Sequence, residues 1–195
     1  MYIYRICNVL FMYLKCTFKV QIMYEINTGR RMIVVVGGTK GGTGKTTIAT
    51  HLTVLRSSTG NKVLLVDADE QKSSSIFANQ REASGIDTKW STIQLGGKTL
   101  HNQIARLKGD YDDIIIDVGG RDTTSQRSAL AIANIGVIPF KPKSFDIWTL
   151  GAVKSMINEI KAVNDDLQIY AVINQADCRG SDNEDSYEMI KEMSG

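Results

Sequence analysis

A glycine-rich loop between an apolar run and a helical stretch constrains the fold of this chain more than any other feature. The apolar run is Met32–Val36, and residues 37–47 then read Gly-Gly-Thr-Lys-Gly-Gly-Thr-Gly-Lys-Thr-Thr. Glycines let backbone N–H groups approach an anion, and the N-terminus of the following helix adds partial positive charge. In such a loop Lys45 can reach the β- and γ-phosphates of a nucleotide, and the Thr46 hydroxyl can bind Mg²⁺. The segment therefore predicts a phosphate-binding loop.

The rest of the chain alternates short apolar runs with helical stretches. Strands are predicted over residues 32–36, 63–66, 91–95, 114–116, 135–140 and 168–173. Helices are predicted over residues 46–58, 73–83, 100–107, 124–133, 147–163 and 184–193. Continuous apolar runs are typical of strands buried on both faces, and the alternation indicates βαβ units. The predicted fold is an α/β P-loop NTPase with a mostly parallel twisted sheet and helices on both faces.

Composition is that of an ordinary globular domain. With 195 residues, of which 43% are hydrophobic and 23% charged, the chain can bury one sizeable core. The three cysteines, Cys7, Cys16 and Cys178, form no closely spaced pair that would bind zinc or build a disulfide framework. This usage favours an intracellular, cytoplasmic setting.

The first 31 residues differ from the remainder. They hold five basic residues and one acid, and removing these from the totals of 23 and 21 leaves 18 basic and 20 acidic residues. Residues 32–195 therefore carry a balance of −2, which gives no support for a DNA-coating protein. The longest apolar run of the leader, residues 9–14, is far below the ~20 residues of a membrane span. We expect residues 1–31 to be an extension outside the core, and residues 32–195 to form the domain.

Carboxylates follow two of the predicted strands. Residues 67–71 read Asp-Ala-Asp-Glu-Gln, and Asp117 ends a run of isoleucines. Because ligands of α/β proteins bind at the carboxyl edge of the sheet, these acids are candidates for work on a bound nucleotide. Asp112 and Asp113 precede their strand and are interpreted as solvated turn residues.

The loop departs from the common GxxxxGK[ST] pattern, because Thr39 stands where the first glycine would be. Residues 40–46 instead read Lys-Gly-Gly-Thr-Gly-Lys-Thr, which resembles the deviant Walker A motif of the ParA/MinD family of P-loop ATPases. The resemblance is nearest to the short plasmid-partition type. It implies ATP and Mg²⁺ as cofactors, with catalytic roles for Lys40 and Lys45. In the family the extra lysine, here Lys40, reaches the partner's phosphates across a dimer, much as an arginine finger does. The nucleotide contacts implied are Gly41, Gly42, Thr43, Gly44, Lys45, Thr46 and Thr47.

The resemblance also assigns the acids. Asp67 and Asp117 join Thr46 around magnesium, and Asp69 positions the attacking water, although Glu70 replaces the usual proline. Asn174 matches the position whose amide meets the adenine. The family's second switch begins at residues 121–122, and residues 137–146 match its dimer face.

The function implied is that of a partition ATPase. ATP binding makes a homodimer that associates with nucleoid DNA, and a centromere-binding ParB-type partner stimulates slow hydrolysis. Family members usually continue beyond the last helix seen here, so surfaces for non-specific DNA are expected to lie partly outside this sequence.

Two alternatives stay open. A MinD-like membrane-cycling ATPase needs a basic amphipathic helix, which the acidic residues 182–195 do not supply, so no membrane partner is expected. A metabolic P-loop ligase or kinase, such as a dethiobiotin synthetase-like enzyme, shares the fold. Lys40 and the Asp-x-Asp-x-Gln stretch argue against it.

Overall fold

The strands form one parallel sheet. The computed structural model of the chain describes residues 31–120, 124–142, 147–175 and 182–193. The six strands of this sheet stand in the order β3-β2-β4-β1-β5-β6, and each neighbouring pair is parallel. Their bounds are β1 (Met32–Val36), β2 (Val63–Ala68), β3 (Trp90–Gln94), β4 (Asp113–Val118), β5 (Ile135–Phe140) and β6 (Gln168–Ile173). The predicted parallel sheet is confirmed.

Helices cover both faces of the sheet. They are α1 (Lys45–Ser58), α2 (Ser73–Ala83), α3 (Leu100–Leu107), α4 (Thr124–Leu130), α5 (Ile147–Lys161) and α6 (Asp182–Met193). Side chains alternate between the faces along each strand, so the buried apolar residues fall into two clusters. One cluster joins alternate strand residues to α1 and α2, and the other joins the remaining strand residues to α3, α4, α5 and α6.

Helix α4 ends at Leu130, so its predicted extension to residue 133 is wrong. The N–H groups of Ile132 and Ala133 donate to the carbonyls three residues earlier, at 3.2 and 3.3 Å, and this tight turn stops the helix. Asn134 then exchanges hydrogen bonds with Ile33 of β1, which leads the chain into β5.

Asp113 is buried, so its interpretation as a solvated turn residue is wrong. It opens β4, is 2% exposed, and accepts a 2.7 Å hydrogen bond from Arg56 Nε of α1. The strand starts there because Asp113 stands in register with Met32 and Val63. Asp112 is exposed as predicted, and its carboxylate accepts the Lys62 N–H at 2.8 Å.

The sheet places the phosphate loop at its centre. Strand β1 lies between β4 and β5, and the chain passes from β4 to β5 across it. A reversal of this kind opens a crevice beyond the carboxyl ends of the strands, where α/β proteins bind ligands. In the part of the chain that the structure describes, no helix is long and apolar enough to cross a membrane. The predicted extension falls almost wholly on residues 1–30, which lie outside the described residues.

Candidate nucleotide-binding site

Three glycines give the loop after β1 its shape. Gly38, Gly42 and Gly44 have φ angles of +147°, +71° and +92°, which residues with a Cβ rarely adopt. Gly44 also precedes the first residue of α1 and supplies no side-chain cap. The N–H groups of the first helical turn therefore remain available to an anion.

Lys45 is the first residue of α1 and is buried, with 6% of its surface exposed. Its Nζ donates a 2.7 Å hydrogen bond to the carbonyl of Lys40. Burial lowers the pKa of Lys45, while the charges of Asp117 and Asp69 act in the opposite direction. Because the ammonium has lost much of its hydration, an anion beside it would stabilise its charged form.

Asp67 and Asp117 are register partners on β2 and β4. Both are buried, at 2% and 0% exposure. Burial raises the pKa of Asp117 to about 6, with smaller rises from the charges of Asp67 and Asp69, whereas hydrogen bonds from Ser74 and Thr46 lower it. The Ser74 hydroxyl donates to Asp117 Oδ2 at 2.5 Å. The strands thus bring together two carboxylates that repel each other, at the edge next to the loop.

Oxygen donors at this edge fit a magnesium ion. Asp117 Oδ1 is buried and has no hydrogen-bond partner, and the Thr46 side chain reaches the same carboxylate. Among the described residues no group of three or more His, Cys, Asp or Glu could hold a metal. Magnesium in phosphate sites needs one or two carboxylates and takes its remaining ligands from phosphates and water. Thr46 and Asp117 meet that requirement.

Asp67 is held by backbone N–H groups. Its Oδ2 accepts from Ser75 N at 2.8 Å, and its Oδ1 accepts from Asp69 N at 3.3 Å. These bonds tie the end of β2 to the first turn of α2. Participation of Asp67 in a magnesium shell stays a prediction.

Asp69 orders the turn in which the family's proline is replaced. Its Oδ1 accepts from Gln71 N at 3.1 Å, and its carbonyl accepts from Lys72 N at 3.1 Å. Glu70 is exposed between them. The Asp69 carboxylate lies beside Gly119, where an added Cβ would be 3.4 Å from Oδ1. A side chain at position 119 would therefore stand in van der Waals contact with the acid.

The loop after β4 contacts the phosphate loop directly. A Cβ on Gly120 would come within 2.9 Å of the nitrogen and Cα of Gly41, so no larger residue fits without displacement. The predicted second switch at residues 121–122 lies outside the described residues, as do residues 143–146 of the predicted dimer face.

Two side-chain amides after β6 lie against the same loop. Asn174 Nδ2 donates to the Thr43 carbonyl at 2.7 Å, and Gln175 Nε2 donates to the Gly42 carbonyl at 3.2 Å. An added Cβ on Gly44 would lie 2.2 Å from Asn174 Nδ2, so the Asn174 amide can occupy this position only if residue 44 is glycine. The contact of Asn174 with adenine stays a prediction. The contact of Gln175 had no sequence signal, although its φ of +58° marks a constrained backbone.

Ser74 and Gln126 also belong to the site, although no sequence pattern indicates them. Ser74 is buried on Asp117, and Gln126 accepts a hydrogen bond from Gly38 N at 2.9 Å. Neither residue belongs to a motif, and each partner is more than forty positions away.

The glycine loop at the end of the central strand, its buried lysine and the neighbouring carboxylates define a P-loop nucleotide-binding protein with an NTPase-like α/β fold. Residues 34–194 match the CbiA family, the CobQ/CobB/MinD/ParA nucleotide binding domain. The chain belongs to that family, and the resemblance read from the loop is confirmed.

Individual relatives agree with this assignment. Protein ParA of Rhizobium radiobacter is 31% identical over 120 residues, which are 62% of this chain and 53% of that protein. The match thus spans about half the length of this relative.

Solved structures share the fold. A plasmid partition protein from Borrelia burgdorferi matches with a TM-score of 0.68 and 21% identity, over 84% of this chain and 87% of that one. Cobyrinic acid a,c-diamide synthase from Mycobacterium smegmatis, with bound ATP analog and magnesium, matches with a TM-score of 0.71 and 19% identity. That match covers 83% of this chain and 82% of the synthase.

Proposed function

We propose that the chain is a ParA-like partition ATPase. It binds ATP with Mg²⁺, dimerises in the ATP state, and hydrolyses ATP slowly to segregate plasmid or chromosomal DNA with a ParB-type centromere-binding partner. One observation carries the proposal: Lys45 donates to the carbonyl of Lys40, and the neighbouring Thr46 contacts Asp117. The two lysines of the loop and the acid at the end of β4 are thus brought together. Family membership and the similarity to ParA support the same conclusion.

Phosphate binding follows from the loop and from Lys45. The ammonium now donates to the Lys40 carbonyl, and a charged phosphate oxygen is a stronger acceptor than that neutral carbonyl. Lys45 would move to the β- and γ-phosphates, while N–H groups at the start of α1 would bind the remaining oxygens.

Thr46 and Asp117 would hold magnesium, with Asp67 next to them in register. Magnesium, when bound, supplies positive charge that neutralises the phosphate oxygens. The Ser74 hydroxyl fixes Asp117 Oδ2 and leaves Oδ1, which is without a hydrogen-bond partner, to face the ion.

Asp69 would orient the attacking water. Its Oδ1 is already fixed by Gln71 N, so the direction of the carboxylate is set before a nucleotide arrives. Gly119 leaves the space beside it open. A positioned carboxylate can accept a hydrogen bond from water and align it with the phosphorus.

Dimerisation is supported by the surface of the loop. Gly41 and Gly42 are exposed and carry no side chains, so a second copy can come close to the phosphates there. Lys40 adjoins these glycines, and its carbonyl is anchored by Lys45. A lysine in this place can cross a short gap and stabilise charge on the partner's nucleotide.

A metabolic ligase of the same family is the competing function, because the synthase from M. smegmatis shares the fold. Chromatography with light scattering of the wild-type chain distinguishes the two. We expect the measured mass to be that of a dimer with a non-hydrolysable ATP analog and Mg²⁺. Without nucleotide, or with ADP, it should be that of a monomer. A monomer under all three conditions, together with phosphate transfer to a small substrate, would favour the ligase.

Non-specific DNA binding gives an independent test. If it depends on the dimer, DNA should be retained only with the ATP analog, and retention should fall steeply as salt rises. DNA binding that is equal with ADP would contradict an ATP-controlled switch. The associated expectation is a cytoplasmic protein that joins the nucleoid when ATP is bound.

A further inference from the structure

Gln126 is a buried polar residue that contacts the phosphate loop from outside the known motifs. It lies on α4 and is 0% exposed. Its Oε1 accepts the Gly38 N–H at 2.9 Å, although the two residues are 88 positions apart. A Cβ on Gly37 would come within 3.0 Å of the same oxygen, so the loop backbone lies directly on the amide.

The other end of this amide faces helix α5. Gln126 Nε2 is 2.8 Å from Met156 Sδ, and Met156 is also buried. The orientation of the amide follows from chemistry, because a backbone N–H can face only an acceptor, which is Oε1. Thioether sulfur is a weak acceptor and can accept one of the two N–H groups of Nε2. The side chain therefore connects the start of the phosphate loop to α5.

Burial of a glutamine is unfavourable unless its polar atoms are paired. Gly38 is buried as well, so its N–H would lack an acceptor if Gln126 were apolar. The bond also fixes a glycine with a φ of +147°, whose backbone is otherwise free to adopt other conformations. The geometry is that of a side chain which selects one conformation of the loop.

We propose that Gln126 is a positioning residue that holds the start of the phosphate loop in its binding conformation and anchors it to α5 through Met156. The inference rests on the proposed nucleotide binding. Without the Oε1 acceptor, the loop must be ordered when the nucleotide binds, and that ordering lowers affinity.

The test compares Gln126→Leu with a matched control, Asn164→Leu. Asn164 Nδ2 donates to the Leu130 and Ala133 carbonyls, both at 2.9 Å, so the control removes two partly buried hydrogen bonds near α4 but does not touch the loop. Calorimetry with Mg²⁺–ADP should show about tenfold weaker binding for Gln126→Leu, as expected for one buried N–H left unpaired. Asn164→Leu should bind ADP as wild type does. Wild-type affinity in Gln126→Leu, or an equal loss in the control, would overturn the inference.

A conservative variant and a second readout separate positioning from stability. In wild type the hydrogen bond to Oε1 should make the Gly38 amide exchange slowly, and Gln126→Leu should lose this protection. Gln126→Glu keeps an oxygen at the same place, and burial favours its neutral form. ADP affinity and slow exchange of the Gly38 amide should therefore return in Gln126→Glu. Rescue no better than leucine would contradict the proposal. If Gln126→Leu fails to fold, Met156→Leu removes the distant partner and should speed Gly38 exchange; unchanged exchange would refute the connection to α5. The exchange is measured without nucleotide, so it tests positioning even if the wild type fails to bind ADP, an outcome that would refute only the proposed function.

Discussion

Lys45 is a buried ammonium that donates to a backbone carbonyl and sits beside acidic side chains. We expect Lys45→Ala to lower the affinity for Mg²⁺–ATP by about a hundredfold or more, since several charge-assisted hydrogen bonds to phosphate are lost together. Lys62→Ala is the matched control, because Lys62 is exposed and lies near Tyr111, away from the loop. Calorimetry that finds equal affinity in wild type and Lys45→Ala would refute the phosphate-loop assignment.

Asp117 is retained at a cost in stability. Its carboxyl is fully buried beside Asp67 and Asp69, and its pKa rises from 3.8 to about 6. Above about pH 6 the folded protein must hold this charge, so the penalty is present at neutral pH and disappears as the pH falls toward 3.8. The shift corresponds to about 1–3 kcal/mol.

Asp117→Asn removes that charge and keeps a carbonyl oxygen for the Ser74 hydroxyl. In EDTA at pH 7.5 we expect the variant to resist urea better than wild type. In a separate nucleotide titration, adding Mg²⁺ should raise the affinity of the variant much less than it raises that of wild type. The stability difference should shrink between pH 6 and pH 4. A variant that is less stable than wild type at pH 7.5 would show that the buried carboxylate contributes favourable contacts instead.

Individual residues differ in how far the sequence could predict them. Lys45 and Asp117 can be predicted, because Lys45 ends a glycine-rich run and Asp117 ends an apolar run, and each position is determined by its neighbours in the sequence. Gln126 and Asp113 cannot, because their positions depend on partners that only the fold brings near: Gly38 for one and Arg56 for the other. Single-sequence patterns carry no information on such pairings.

At the scale of elements, an ion pair joins α1 to the start of β4, at the end of the sheet opposite the loop. Arg56 and Asp113 are both nearly inaccessible. Asp113→Ala would leave the guanidinium buried without its partner, and we expect about 3–5 kcal/mol of lost stability in urea unfolding. Asp112→Ala is the control, because it removes one exposed hydrogen bond worth roughly 1 kcal/mol. Similar losses in both variants would show that burial of the pair is unimportant.

The elements themselves follow closely from the sequence. Strands β1, β2, β4 and β5 are buried almost throughout, so their apolar runs are continuous and easily recognised. The edge strands β3 and β6 are more exposed, and their residues are less uniformly apolar. The end of α4 was missed, since residues 131–133 have good helix propensity and the turn there is set by hydrogen bonding of Asn134 to β1. Tertiary contacts decided that boundary over local preference.

For the whole molecule, the loops after β1, β2, β4 and β6 converge on one place. Gly120 touches Gly41, Asn174 donates to Thr43, and Asp69 lies beside Gly119. A change in any one loop therefore alters the surroundings of the nucleotide. The motif resemblance predicts this meeting of loops, while the proposed dimer and partner would be assemblies of more than one chain.

The central claim is that ATP binding drives dimerisation through Lys40, and that ATP hydrolysis, which needs Asp69, ends the dimeric state. The most direct measurement is light scattering after chromatography of Lys40→Ala and Asp69→Ala, each with Mg²⁺–ATP, beside wild type and Lys62→Ala. We predict that Asp69→Ala binds ATP, hydrolyses it poorly and accumulates as a dimer, whereas Lys40→Ala binds ATP and remains a monomer. A Lys40→Ala protein that dimerises as well as wild type would contradict the account.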